Sequence, residues 1–245
     1  MGNSISVEKA MLYEKYRLPY AHQAADDLLG CIGSVRVVAD IGTGTGQLAR
    51  LFAGRSARVY AVEPDAAMRE VAATSLAGFT SVEIVAGFAE QTTLATDSID
   101  LIVIGNALHR FKPEACQELR RILSEQGWFA LFRYTFVNQA FTEMLFPKLA
   151  ALKGIAAKRE EAWHQMPMQG LFGEGQIRTL TYCQAHIEDW TAFFGAACAG
   201  IEAPESSDAD FAQFEAINRE VFDAFAVNGK IRIDYETQVS FGQPL

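Results

Sequence analysis

The chain is poor in the features that mark secreted, membrane-spanning or nucleic-acid-binding proteins. Its four cysteines, Cys31, Cys116, Cys183 and Cys198, lie far apart with no C-x-x-C pair. That usage fits reduced thiols in a cytoplasmic protein and argues against a disulfide framework or a zinc cluster, so no metal is expected. Basic residues are few beside acidic ones, 21 Lys and Arg against 30 Asp and Glu, for a formal net charge of −9. Such a surface repels a phosphate backbone, and nucleic acid is not an expected partner. Apolar runs are short as well. The longest, over 99–108 and 128–132, are interrupted by Asp100 or bounded by Arg133, so no membrane span is expected. No apolar leader, internal repeat or low-complexity tract is visible. The opening Met1-Gly2-Asn3-Ser4-Ile5-Ser6 does fit the M-G-x-x-x-[ST] acylation pattern, which acts only where the transferase is present.

What the chain does have is length and apolar content. With 245 residues, half of them hydrophobic, it can bury roughly 70–75% of its unfolded surface in one large domain. Near-continuous apolar runs at Val35 to Ile41, Arg58 to Val62, Val82 to Val85, Asp100 to Ile104 and Trp128 to Arg133 alternate with helical patterns. This is the signature of a parallel sheet covered on both faces. Pro113 to Gln126 predicts a helix with Pro at its first position and Gly127 past its end. Gln139 to Trp163 also reads as helix, and Gln165 to Gly175 as a loop. Ile177 to Ile187 and Lys230 to Phe241 read as strands, with helices Glu188 to Ala199 and Asp208 to Ala226 between them. The expected organisation is one domain: a helical segment over 1–34, a core over 35–135, a lid insertion over about 139–175 and a final strand-helix region over 176–245.

The most informative stretch is Val38-Ala39-Asp40-Ile41-Gly42-Thr43-Gly44-Thr45-Gly46-Gln47-Leu48-Ala49, a strand entering a glycine-rich turn and a helix. Glycines let a ligand approach the backbone, and the helix start presents unpaired amides. Gly44 to Ala49 also satisfies G-x-G-x-x-A, so an NAD-dependent oxidoreductase stays open at this point. Asp40 favours another ligand. A carboxylate before the turn repels a pyrophosphate but pairs with the ammonium of S-adenosylmethionine. Glu63, ending Tyr60-Ala61-Val62-Glu63-Pro64, is placed to accept from both ribose hydroxyls.

With these residues in view the chain resembles the class I S-adenosylmethionine-dependent methyltransferases, and among them the small-molecule group that includes the ubiquinone-biosynthesis and trans-aconitate methyltransferases. Five stretches carry the likeness between about Tyr13 and Gly127: Tyr16 to Tyr20, Asp40 to Gly46, Glu63 to Arg69, Gly87 to Glu90 and Asn106 to Phe111. The resemblance implies a Rossmann-like, doubly wound seven-stranded α/β sheet, mostly parallel with an antiparallel carboxyl-terminal pair and a helical lid. It implies that Asp40, Gly42, Thr43, Gly44 and Gly46 surround the methionine part of the cofactor and that Glu63 and Pro64 hold the ribose. Met68 would pack near the adenosine, Phe88, Ala89 and Glu90 would meet the adenine, and Asn106 would line the pocket near the sulfonium.

Methyl transfer is an in-line displacement, so the protein mainly aligns the reactants and excludes water. His109, after the fourth strand, is the candidate general base if the acceptor carries a proton. Tyr13, Tyr16, Arg17 and Tyr20 lie on a segment that the resemblance folds over the cofactor, with Arg17 facing a carboxylate. Trp163 and His164 sit in the expected lid as acceptor-contacting candidates. Ile104-Gly105-Asn106-Ala107 stands where enzymes that methylate amino groups of nucleic-acid bases carry Asn-Pro-Pro-Tyr. The expected acceptor is therefore a small organic molecule. A protein that keeps the cofactor pocket without methylating is the alternative of the same fold.

Overall fold

The computed structural model describes residues 5–162 and 168–244. The Gly2 acylation pattern at the amino terminus, and Trp163 and His164 of the expected lid, lie outside the described residues. The chain divides into two compact units, a larger one of residues 19–134, 164–182 and 237–245 and a smaller one of 1–18, 135–163 and 183–236.

The larger unit begins with helix α2 (Gln23–Ile32), which follows α1 (Val7–Tyr16) of the smaller one. Strands β1 (Val37–Ile41), β2 (Arg58–Glu63), β3 (Val82–Ala86) and β4 (Ile99–Gly105) then alternate with helices α3 (Gln47–Phe52) and α4 (Ala66–Ser75). Helix α5 (Ala115–Ile122) precedes the long β5 (Leu123–Phe136). β6 (Arg178–Asp189) and β7 (Lys230–Gly242) complete one seven-stranded sheet in the order β3-β2-β1-β4-β5-β7-β6. The first five strands pair in parallel, and the carboxyl-terminal pair is antiparallel. The expected seven-stranded sheet, mostly parallel with an antiparallel carboxyl-terminal pair, is therefore present.

Central strands read as unbroken apolar runs because both faces are buried. Val38 joins Leu28, Phe52 and Phe132 in the core on one face, whereas Ala39 and Ile41 join Ile102, Phe129 and Phe172 on the other.

Three expected elements differ. The helix drawn from Pro113 to Gln126 spans only Ala115–Ile122. The carbonyls of Arg121 and Ile122 accept from the amides of Asp97 and Ser98, and Leu123 pairs with Ile99. Sheet pairing thus claims the chain before Gly127 is reached. The glycine instead serves a close approach, since a Cβ there would lie 2.6 Å from the Leu123 side chain.

The single helix expected from Gln139 is two, α6 (Gln139–Ala150) and α7 (Lys153–Ala162). The break is held within the smaller unit by Asp210, whose carboxylate accepts the Gly154 amide at 2.8 Å and caps the second helix from outside.

Part of the expected loop 165–175 is helix α8 (Met168–Phe172). It packs on α5, with Leu171 and Phe172 fully buried and Arg120 donating to the Leu171 carbonyl at 3.1 Å. These residues are core of the larger unit, not lid.

The smaller unit also contains α9 (Trp190–Cys198) and α10 (Phe211–Phe225). Tyr16 of α1 packs its ring on Gly195 of α9, and Lys9 donates to the Ala203 carbonyl at 2.6 Å. Phe141, Phe193 and Phe222, with the stacked pair Trp190 and Phe194, supply its aromatic interior.

Candidate functional site

In open α/β sheets ligands bind beyond the carboxyl ends of the strands where the strand order reverses, and here that point lies between β1 and β4. The turn leaving β1 fills it. Gly42, Gly44 and Gly46 have φ of 72°, 58° and 90°, a region closed to most side chains. Two of them also meet tight neighbours. A Cβ on Gly42 would lie 2.8 Å from the Ala107 Cβ, and one on Gly46 2.5 Å from Leu76. The loop after β4 therefore lies directly against the glycine turn.

Two buried carboxylates hold this turn. Asp40 is fully buried, and its Oδ2 accepts from the Thr43 hydroxyl at 2.5 Å and from the Ala49 amide at 2.9 Å. Its Oδ1 is sealed from solvent and has no partner. Burial outweighs these hydrogen bonds and pushes the Asp40 carboxyl up to about 7. Glu63 is 8% exposed and clamps the turn from β2, its Oε2 accepting the Gly44 amide at 2.8 Å and its Oε1 the Asp65 amide at 2.9 Å. Burial raises its pKa as well.

The structure places the remaining candidates as follows. Thr43 is spent on Asp40. Arg69 fixes Pro64 by donating to the Glu63 and Pro64 carbonyls at 2.9 and 2.7 Å. Met68 is buried at the start of α4, its amide capped by Asp65 at 3.0 Å. Ala89 is buried, and Phe88 beside it is 61% exposed. Glu90, expected beside the adenine, uses Oε1 to accept the Lys112 amide at 2.7 Å, which ties the loop after β3 to the loop after β4.

Asn106 stands at φ 49°, a left-handed conformation that Asn tolerates, and its Nδ2 donates to the Tyr20 hydroxyl at 3.0 Å. Tyr20 is itself buried, with its ring edge-on to Phe132, so it supports Asn106 where a substrate contact was expected. His109 is half-buried in a short 3₁₀ turn, residues Leu108–Arg110. Tyr13, Tyr16 and Arg17 belong to the smaller unit, where the Arg17 guanidinium lies 4.8 Å over the Tyr13 ring.

Sequence reading missed three supports of the site: Arg69, Ser75, whose hydroxyl donates to the Thr45 carbonyl at 2.6 Å, and the packing of Ala107 and Phe111 on Gly42. Arg69 alone left a signal, one turn into a helix that follows a strand-end acid. The other two depend on contacts between distant segments.

Residues 39–131 match the family model described as a methyltransferase domain. An uncharacterized methyltransferase of Mycobacterium tuberculosis is 33% identical over 116 residues, 47% of this chain and 46% of that protein. Another, of Geobacillus kaustophilus, is 29% identical over 159 residues, 62% of this chain and 68% of the relative. The chain thus spans about half the length of the first of these curated relatives. The YcgJ protein of Bacillus subtilis shares the fold, with a TM-score of 0.56 over 92% of this chain and 100% of that one at 18% identity. Strand order and family match together show that residues 39–131 are similar to a methyltransferase domain within a sheet of this fold.

Proposed function

We propose that the chain transfers the methyl group of S-adenosylmethionine to a small organic acceptor. One observation carries the reading: the buried, partnerless Asp40 Oδ1 beneath a glycine turn that Glu63 holds from the next strand. A buried acceptor without a donor is costly, and a bound ammonium satisfies it. The donor set fits the cofactor on both sides, because each Glu63 oxygen keeps a lone pair for a ribose hydroxyl beside its amide bond. A pyrophosphate would meet two carboxylates here, so the fit disfavours a dinucleotide.

When bound, S-adenosylmethionine supplies an electrophilic methyl on a sulfonium. Asp40 and the glycine turn hold the amino-acid end, Glu63 orients the ribose, and Met68, Phe88 and Ala89 enclose the base. Asn106, locked by Tyr20, borders the reacting end. His109 takes a proton from acceptors that carry one. The charge of −9 and the Ile104-Gly105-Asn106-Ala107 sequence support a small-molecule acceptor over a nucleic-acid base. Among the described residues no helix is long and apolar enough to cross a membrane, and the reading takes the chain to work in the cytoplasm.

Calorimetric titration with S-adenosylhomocysteine tests the proposal. One saturable site, weakened at least tenfold by Glu63→Ala, is expected. A folded, ligand-free protein that binds NADH and not S-adenosylhomocysteine would overturn it.

A further inference from the structure

The turn leaving β3 sets what the cofactor site recognises in the base. Glu63, which the methyl-transfer reading gives to the ribose, pairs in register with Ala86 at the end of β3. A Cβ on Gly87 would lie 3.1 Å from the Val62 side chain, so the chain leaves β3 hard against β2. A base joined to a ribose at Glu63 therefore meets residues 87–91. Phe88 and Gln91 exchange backbone hydrogen bonds, 3.2 Å from the Phe88 amide and 3.0 Å from the Gln91 amide. Ala89 and Glu90 are thus the two central residues of a tight turn.

Adenine offers such a turn two flat apolar faces and an edge whose 6-amino group donates. The carboxylate and the hydroxyl nearest that edge are committed to protein. Glu90 Oε1 accepts the Lys112 amide at 2.7 Å, which draws its carboxylate toward the loop after β4. Thr92 is fully buried, and its hydroxyl donates to Glu118 at 2.6 Å. Phe88, by contrast, is exposed beside the buried Ala89. Its ring offers a face for stacking and no oxygen for an amine. Stacking on an aromatic ring is tolerant of the groups at the edge of the base. An exposed ring also changes rotamer freely, so a substituent on the base displaces it without opening the core.

We propose that Phe88 holds the base by its ring and leaves the 6-amino group unread, so that the site takes cofactors alkylated on that nitrogen as well as S-adenosylmethionine itself. The inference rests on the methyl-transfer reading, which places the ribose at Glu63.

Calorimetry compares S-adenosylhomocysteine with its N6,N6-dimethyl derivative, which keeps the faces of the base and lacks both amine protons. Affinities within about fivefold of each other are expected, whereas a site that hydrogen-bonds the amine rejects the derivative far more strongly, its own acceptor being left unpaired. Phe88→Ala should weaken both ligands alike, by at least about fivefold, through loss of stacking. The side chain is exposed, so the substitution leaves the core intact. Gln91→Ala, which removes the neighbouring side-chain amide, should change neither affinity. A larger loss for the dimethyl ligand, an unchanged affinity in Phe88→Ala, or a weakened S-adenosylhomocysteine in Gln91→Ala would each overturn the inference. Failure of S-adenosylhomocysteine itself to bind the unaltered protein overturns the methyl-transfer reading. Rejection of the dimethyl ligand by a protein that binds S-adenosylhomocysteine overturns only the role given to Phe88.

Discussion

At the residue scale, the two site carboxylates have separable duties. Asp40 supports the turn through Thr43 and Ala49 and leaves Oδ1 without a partner, the oxygen that the proposed cofactor would use. Asp40→Ala would therefore damage the turn as well as the ligand contact, whereas Asp40→Asn keeps one acceptor oxygen and is the cleaner probe. With its pKa raised from 3.8 to about 7, the folded chain holds a proton that the unfolded chain has released across that interval. The stabilisation from this proton is full below the unfolded value and is lost as pH rises toward 7. Thermal melts of the ligand-free protein should show this loss, and Asp40→Asn should flatten it. Binding an ammonium requires the ionised form, so S-adenosylhomocysteine should expel a fraction of a proton approaching one near about pH 6. Calorimetry in buffers of different ionisation enthalpy measures that release. Absence of release would mean that Asp40 stays neutral and the ammonium lies elsewhere.

At the element scale, the glycine turn and the start of α4 were legible because their chemistry is local. Asp40 to Gly46 and Glu63 to Arg69 each carry their determinants within a few residues. Gly46→Ala should destabilise the chain by about 1–3 kcal/mol, from the positive φ and the overlap with Leu76 together. Gly46→Ala with Leu76→Ala should recover the steric share alone, less the cost of the lost leucine contacts, and chemical denaturation separates the two. Asp210→Ala should cost about 1 kcal/mol by uncapping α7. The elements that escaped the sequence share a cause. Leu123 to Gln126 looks like a helix tail, Leu149 to Gly154 like uninterrupted helix, and Met168 to Phe172 like loop. Ile99 pairing, the Asp210 carboxylate and the α5 surface decide them, and all three partners are remote in sequence.

At the scale of the whole molecule, each compact unit is assembled from three separate stretches of chain, and their boundaries at 134/135, 182/183 and 236/237 fall inside β5, β6 and β7. No contiguous fragment consists of either unit alone. A chain ended at Tyr134 should keep the glycine turn but lose Tyr182, Val239 and Phe241 from the core that Phe132 completes. Near-UV circular dichroism of that fragment should show no fixed aromatic environment, and S-adenosylhomocysteine should not bind to it. The strand order carries a consequence for synthesis. β7, the last strand to be made, is inserted between β5 and β6, both made earlier. At ribosomal speeds of about 5–20 residues per second, the open side of β5 waits roughly 5–20 s for its neighbour. During that interval the nascent chain exposes an unpaired, apolar strand edge, the kind of surface that recruits chaperones. Yield in the cell should thus depend on translation rate over the last hundred residues more steeply than the stability of the finished protein would suggest.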